Sequence, residues 1–342
     1  MERVQVVIVT PLESELVDRL RDLDDRLDIA FEPELLPPPR YPSDHRGVDE
    51  FARTPAEEER FTALVSGAEV ALGFPREEPA GLAWVIRTAP RLRFLQATYA
   101  GAGQQVRAAG LTADELDRVA IASSAGIHAT PLAEWSIFGI LAFAKGLTRL
   151  LDDKAHRRWE HYPTRELTEQ TLLVIGVGEI GSEVVRLARA FGMTVLGIKR
   201  EAGGEWAGPD RLGELVERAD AVVVTLPLTA ETAGLVDRET IERMRDGAVF
   251  VNVGRGGVVD EQALTEALRS GRLRGAALDV FADEPLPESS PLWELDNVIV
   301  SPHTAALSVK ENERIVELFG ENLRRYLAGE ELISRVRANV FY

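Results

Sequence analysis

Short, nearly continuous apolar runs recur along the chain, separated by stretches in which apolar positions return every three or four residues. Val4–Val9 is a β-branched apolar run that predicts a strand, followed by Pro11 and an amphipathic stretch over Leu12–Leu27. Glu69–Phe74 and Leu92–Ala97 predict further short strands, with helices near 56–66 and 81–89. A single long helix is predicted from Pro131 to about Leu150. From Thr171 onward the alternation sharpens. Strands are predicted at Leu172–Ile175, Thr194–Ile198, Ala221–Leu226, Val249–Val253, Ala276–Val280 and Val298–Val300. Helices are predicted at Ile180–Phe191, Leu212–Arg218, Arg238–Met244, Glu261–Ser270 and Ser308–Leu327. A strand that is apolar at every position is buried on both faces, which means a parallel sheet with helices on either side. Strand–helix alternation with short connections therefore predicts a doubly wound α/β fold. One segment breaks the pattern. Residues 32–60 hold Pro33, Pro37, Pro38, Pro39, Pro42 and Pro55 among many charges, which predicts an irregular excursion on the surface.

Composition narrows the class. At 342 residues the length suggests two domains. With no cysteine the chain has no disulfide, thiolate zinc site, iron–sulfur cluster or cysteine nucleophile, and no metal site is expected. No apolar run approaches the roughly 20 residues of a membrane span. The start, Met1-Glu2-Arg3-Val4, has no signal-peptide layout, so a cytoplasmic protein off the membrane is expected. The net charge is −17, from 56 acids against 39 bases, and only four of the bases are Lys. Such a surface repels phosphate backbones, which argues against a nucleic-acid partner.

The run Leu172-Leu173-Val174-Ile175-Gly176-Val177-Gly178-Glu179-Ile180-Gly181 contains GxGxxG after a buried-type strand and at the opening of a helix. In that context Gly176 permits the tight turn, Gly178 lets backbone approach a pyrophosphate, and Gly181 lets helix and strand pack closely. The helix N-terminus offers free N–H groups to the anion. The next predicted strand ends in Lys199-Arg200, where an NAD site places an acid on the ribose 2′-hydroxyl. Two cations there attract a 2′-phosphate, so NADP is favoured over NAD; Glu201 is the nearby residue that could still take a hydroxyl.

Three polar residues follow three predicted strands: Arg255 in Asn252-Val253-Gly254-Arg255-Gly256-Gly257, Glu284 in Asp279-Val280-Phe281-Ala282-Asp283-Glu284-Pro285, and His303 in Ser301-Pro302-His303-Thr304. In open α/β sheets ligands bind beyond the carboxyl ends of the strands, so three such loops can serve one crevice. Each residue alone is ordinary; together with the upstream glycine loop they suit one chemistry. Arg binds a carboxylate through its planar fork, His exchanges a proton near neutral pH, and a carboxylate bonded to the His fixes its tautomer.

Several motifs in order carry a resemblance: Gln96-Ala97-Thr98-Tyr99-Ala100-Gly101, Ala133-Glu134, the glycine loop, Leu226-Pro227-Leu228-Thr229, Asn252–Glu261, Leu278–Pro285 and Ser301–Ala305. From about Leu95 to Ala306 the chain resembles the D-isomer-specific 2-hydroxyacid dehydrogenase family, in particular its glyoxylate/hydroxypyruvate reductase-like members. The resemblance implies an NAD(P)-dependent oxidoreductase that reduces a small 2-oxo acid to the D-2-hydroxy acid. It makes Arg255 the substrate clamp, His303 the general acid/base and Glu284 its orienter. It implies a substrate carboxylate held at Tyr99, Ala100, Gly101 and Ala102. It implies a cofactor site made of Gly176, Gly178, Glu179, Ile180, Gly181, Lys199, Arg200, Leu226, Pro227, Thr232, Val253, Gly254, Asp279 and His303, with Leu226-Pro227 on the adenosine side and Asp279 facing the nicotinamide carboxamide. It implies two Rossmann-like domains: a flavodoxin-like substrate domain of residues 1–124 and 304–342, and a dinucleotide-binding domain of residues 125–303, with a crevice that closes over substrate. It also implies a homodimer built on the long helix after Glu134.

Two features depart from the family. Gly103 stands where relatives often carry Asp or Asn, and the Pro-rich segment is unusual. Tyr99 and Trp135 are candidates for apolar substrate contact or for ordinary packing. The competing function is a dinucleotide-sensing protein without turnover, against which the intact Arg255, Glu284 and His303 weigh. Formate enzymes of this fold carry Gln in place of the catalytic Glu, and Glu284 argues against them. The chain ends soon after its last predicted helix, so the C-terminal regulatory domain common in phosphoglycerate dehydrogenases is not expected.

Overall fold

A computed structural model describes residues 3–337 of the chain. Met1, Glu2 and residues 338–342, which the expected substrate domain includes, lie outside the described residues. The chain divides into two compact units: one comprises the residues up to Ile127 together with those from Leu307 onward, the other His128–Ala306.

The first unit alternates β1 (Val4–Ile8), α1 (Ser14–Arg21), β2 (Leu27–Ala30), α2 (Pro55–Ser66), β3 (Val70–Leu72), α3 (Pro79–Thr88), β4 (Phe94–Gln96), α4 (Ala102–Ala108), α5 (Ala113–Arg118) and β5 (Ala120–Ala122). The second holds α6 (Ala129–Lys145), α7 (Leu147–Ala155), β6 (Thr171–Ile175), α8 (Glu179–Ala190), β7 (Thr194–Ile198), α9 (Leu212–Val216), β8 (Ala221–Val224), α10 (Arg238–Arg243), β9 (Val249–Asn252), α11 (Glu261–Arg269), β10 (Gly275–Leu278) and β11 (Val298–Val300). Helix α12 (Glu311–Ala328) returns to the first unit.

Both sheets are wholly parallel. The first runs β2-β1-β3-β4-β5 and the second β11-β10-β9-β8-β6-β7. Each has an apolar layer on either face: Phe61, Leu82 and Leu95 on one side of the first sheet and Leu20, Phe94 and Phe319 on the other. The second sheet is sandwiched likewise, by Phe250, Leu264 and Leu278 on one side and Leu172, Val223 and Val251 on the other. In the second unit the chain passes from β6 to β7 and then crosses back to β8. The loop after β6 therefore opens at the point where strand order reverses, the position at which this architecture binds ligands.

Three sequence expectations need correction. The amphipathic stretch does not stay helical to Leu27. Helix α1 stops at Arg21, and Asp24 Oδ1 accepts from the Arg26 N–H at 2.9 Å, turning the chain so that Leu27 pairs with Val4 on the edge of the sheet. The helix expected from Pro131 to Leu150 is two, because Gly146 takes the left-handed conformation (φ 71°) that caps α6 and restarts the chain as α7. The Pro-rich segment is irregular as expected only as far as Thr54, apart from one 3-10 turn at Pro33–Leu35; from Pro55 it is already helix α2, and the irregular part is not merely a surface loop. Leu35 and Leu36 enter the core, and Asp44 and His45 are buried. The segment is pinned by Arg40 on Asp44 at 2.7 Å, by Arg53 on the Leu35 carbonyl at 2.6 Å and by Arg76 on the Asp49 carbonyl at 3.0 Å.

Candidate active site

The glycine loop joins β6 to α8. Gly176 has φ 108°, and a Cβ there would meet Leu226 Cδ2 at 2.8 Å and Thr225 Oγ1 at 3.0 Å. Thr225 Oγ1 donates to the Gly176 carbonyl at 2.6 Å and fixes the turn. A Cβ on Gly181 would lie 2.2 Å from the same carbonyl oxygen, so helix and turn touch backbone to backbone. Gly178 caps α8, and a Cβ there would meet nothing within 4 Å. The bare side of the loop is thus open beside the first-turn N–H groups of a twelve-residue helix, a cradle suited to a pyrophosphate. Glu179 and Ile180 form that first turn.

At the end of β7 a short hairpin folds back: Gly203 and Trp206 bridge, and the Lys199 N–H donates to the Ala207 carbonyl at 2.9 Å. The Trp206 ring lies where a Cβ on Gly197 would stand, 2.5 Å from its nearest atom. Lys199 and Arg200 are both exposed there. Arg200 Nε lies 3.6 Å from Glu231 on the loop after β8. That loop is closed by Thr232, whose Oγ1 donates to the Pro227 carbonyl at 2.6 Å and accepts from the Thr229 N–H at 2.8 Å. The donor set fits a dinucleotide: open amides for the pyrophosphate, with two exposed cations at the end of β7.

Arg255 follows β9 and is half-buried, its Nη1 donating to the Gly254 carbonyl at 2.7 Å. Asn252 shapes this loop: its Oδ1 accepts from the Gly254 N–H at 3.0 Å and its Nδ2 donates to the Arg255 carbonyl at 3.2 Å. Val253 is buried, and Gly254 packs so tightly on Leu226 that a Cβ would sit 2.6 Å from the Leu226 oxygen. Glu284 and His303 come together. His303 Nδ1 lies 2.7 Å from Glu284 Oε2, with the two side chains 45% and 36% exposed. A carboxylate is acceptor only, so Nδ1 is the protonated nitrogen that donates, leaving Nε2 to exchange a proton. His303 holds φ 56°, an uncommon value outside glycine. Its loop is tied to Asp279 after β10, whose Oδ1 accepts from Ser301 Oγ at 2.6 Å, Thr304 N at 2.9 Å and Ala305 N at 3.0 Å. Burial pushes the Asp279 carboxyl above the usual aspartate range despite these bonds.

In the first unit, Tyr99, Ala100, Gly101 and Ala102 lie between β4 and α4, with Gly101 at the helix N-cap. Ala100 is exposed and Ala102 buried. The Tyr99 ring packs edge-on to Phe74 at 6.1 Å and its hydroxyl donates to the Glu77 carbonyl at 3.4 Å. Burial raises the Tyr99 phenol. Trp135 packs partly buried against the apolar layer of the second unit. Sequence reasoning missed Thr225, Asn252 and the part Asp279 plays in the His303 loop. Apart from the Ser301 hydroxyl on Asp279, their partners are backbone atoms, some close in sequence and some distant, which no residue spacing announces. For Asn252 alone a signal was at hand, its place at the strand end two residues before Gly254.

A parallel six-stranded sheet with a glycine cradle at its switch point and an Arg loop and His–Glu pair on neighbouring strand ends defines a dinucleotide-binding Rossmann-type protein. Residues 137–305 match the model of the D-isomer specific 2-hydroxyacid dehydrogenase NAD binding domain. The chain is 41% identical over 166 residues to a glyoxylate reductase of Korarchaeum cryptofilum, covering 47% of this chain and 50% of that protein. It is 36% identical over 240 residues to a D-3-phosphoglycerate dehydrogenase of Methanocaldococcus jannaschii, covering 65% of this chain and 45% of that protein. It thus spans about half the length of these curated relatives. A solved D-isomer specific 2-hydroxyacid dehydrogenase from Xanthobacter autotrophicus Py2, in complex with NADPH and MES, superposes with a TM-score of 0.76 at 28% identity, covering 99% of this chain and 100% of that one. The chain belongs to the D-isomer-specific 2-hydroxyacid dehydrogenase family.

Proposed function

We propose that the protein is an NAD(P)-dependent reductase that converts a small 2-oxo acid to the D-2-hydroxy acid, with NADP preferred over NAD. The observation that carries the reading is the 2.7 Å contact of His303 with Glu284 in the unit that holds the glycine cradle. The amides of α8 hold the pyrophosphate, Lys199 and Arg200 the 2′-phosphate, and Leu226, Pro227 and Thr232 the adenosine side. Val253, Gly254 and Asp279 line the nicotinamide end. When bound, the cofactor supplies hydride. Arg255 clamps the substrate carboxylate and polarises its ketone. His303 Nε2 gives the proton to the carbonyl oxygen, and Glu284 holds Nδ1–H so that Nε2 carries the mobile proton. Residues 1–124 and 304–342 are the substrate domain, where the backbone at Tyr99–Ala102 takes the carboxylate. The bound NADPH of the Xanthobacter protein supports the cofactor preference.

The protein is further read as a cytoplasmic homodimer. Phe138 on α6, Leu150 and Leu151 on α7, and Trp159, which is 91% exposed, are large apolar side chains left exposed on and after the helix that a second copy would cover. No helix among the described residues is long and apolar enough to cross a membrane.

The test is oxidation of NADPH and of NADH against glyoxylate, hydroxypyruvate, pyruvate and branched 2-oxo acids. Turnover favouring NADPH is expected. Preference for NADH overturns the cofactor assignment, and tight dinucleotide binding without turnover on any acid overturns the reductase. Sedimentation of the same preparation as a monomer overturns the dimer.

A further inference from the structure

Two consecutive backbone amides after β10 are each taken by a different carboxylate. The Phe281 N–H donates to Glu284 Oε1 at 3.0 Å, and the Ala282 N–H donates to Glu261 Oε2 at 2.9 Å. Successive N–H groups in a turn make a concave anion site. Here one carboxylate belongs to the turn itself and the other arrives from outside. Glu261 is the first residue of α11, behind Asp260, whose Oδ1 caps the helix by accepting from the Ala263 N–H at 2.9 Å. Glu261 is half-buried, and its backbone is fixed by a nine-residue helix packed into the core through Leu264, Ala267 and Leu268. Its side chain therefore anchors the exposed turn to a rigid element.

That anchor matters because burial does not fix the pair it supports. His303 and Glu284 are 45% and 36% exposed, and their alignment depends on hydrogen bonds. Glu284 Oε1 is held by Phe281, Oε2 meets His303, and the turn carrying both Phe281 and Glu284 is held at Ala282 by Glu261. We propose that Glu261 is a positioning residue for proton transfer: by holding the Ala282 amide it sets the turn that aims Glu284 at His303. This rests on the roles given above to Glu284 and His303.

The experiment uses the full chain, with NADPH and whichever of glyoxylate, hydroxypyruvate or pyruvate turns over fastest. It compares Glu261→Ala, Glu261→Gln, His303→Ala and the double variant Glu261→Ala/His303→Ala, in water and in deuterium oxide. Glu261→Ala is expected to lower kcat about tenfold, the scale of a sub-ångström misplacement, with KM and the NADPH Kd within about twofold. Its solvent deuterium isotope effect on kcat should rise, because proton delivery becomes the slower step. Glu261→Gln keeps an acceptor oxygen for Ala282 and should stay within about twofold of the parent. In the His303→Ala background Glu261→Ala should cost nothing further, since both act through one proton transfer.

The proposal falls if Glu261→Ala leaves kcat and the isotope effect unchanged while His303→Ala is impaired. It also falls if the two losses multiply, or if Glu261→Gln loses as much as Glu261→Ala, which would mark a role for the charge at the helix end. Near-normal turnover of His303→Ala would instead remove the reading on which the proposal stands. Should Glu261→Ala fail to fold, Glu261→Asp, whose acceptor is drawn back by one methylene, carries the same test with a smaller expected loss.

Discussion

Gly256→Ala tests whether the arginine and glutamate loops are held in register by direct backbone contact. A Cβ built on Gly256 would stand 1.9 Å from both the carbonyl carbon and the oxygen of Phe281, where ordinary contact begins near 3.4 Å. The loops must therefore part by about 1.5 Å, and neither side can yield by a rotamer change because both are main chain. Gly256 adjoins Arg255, whose carbonyl is tied to Asn252, and the Phe281 N–H holds Glu284. The displacement must reach the proposed clamp, the proposed orienter, or both. A misplacement of order 1 Å costs roughly two decades in rate, and overpacking of this kind costs about 1–3 kcal/mol of stability. The expected result is kcat/KM down about 100-fold, with NADPH affinity little changed, because the glycine cradle follows β6 and is fixed by Thr225. Gly257→Ala is the control: the nearest atoms to its Cβ would be those of the Leu228 side chain, at 3.1 Å, and Leu228 is exposed. Steady-state kinetics, cofactor titration and thermal midpoints on both variants decide the matter. Gly256→Ala with kcat/KM within about threefold of the parent would refute the reasoning, and an equal loss in Gly257→Ala would show that the effect is not specific to the Phe281 contact.

Four further outcomes follow from named contacts. His303→Ala should lower turnover by about two to four decades, measured by NADPH oxidation at saturating 2-oxo acid; near-normal turnover removes it from proton transfer. Lys199→Asp with Arg200→Asn should move preference from NADPH toward NADH, and an unchanged ratio of kcat/KM values would mean these side chains do not read the 2′-phosphate. Asn322, fully buried, donates to Gln96 at 2.8 Å and to the Ile333 carbonyl at 3.2 Å and accepts from the Ile333 N–H at 2.7 Å; Asn322→Ala should cost about 2–4 kcal/mol in urea denaturation, since it strands the buried Gln96 amide oxygen and two backbone groups of half-buried Ile333. Burial alone would raise the Asp44 carboxyl, but bonds from Arg40 and from the Gly47 N–H outweigh it and bring it down to about 2. A depressed folded-state pKa contributes stability above the unfolded value near 4 that is lost as pH falls toward about 2. Asp44→Asn should therefore destabilise the protein at pH 7 and approach parity with the parent near pH 2, and a pH-independent difference would refute the assignment.

How much could be read in advance follows from where each residue's constraints lie. The second unit was legible strand by strand because β6, β8 and β9 are covered on both faces, so burial writes itself into sequence as unbroken apolar runs such as Ala221–Val224 and Val249–Val251. The first unit was less legible at its margins. Strand β2 is a four-residue edge strand carrying Asp28, and β5 is the three-residue strand Ala120–Ala122; runs that short and that poor in β-branched residues give no period to count. Helices α4 and α5 are seven and six residues long and bury little, which leaves the same silence. The break at Gly146 was visible only as a glycine in an otherwise helical pattern, and what decides it is a left-handed φ rather than composition. The candidate site divides along the same line. Arg255, Glu284 and His303 could be singled out because chemistry selects their side chains and topology places them after strands. The 2.7 Å pairing of His303 with Glu284 could not be derived, since it depends on carboxylates binding backbone amides: Glu284 that of Phe281 within its own turn, and Asp279 those of Thr304 and Ala305 in another loop. Side chains that act on substrate leave their type in the sequence, whereas side chains that act on backbone leave almost nothing, because any carboxylate within reach of an amide will serve.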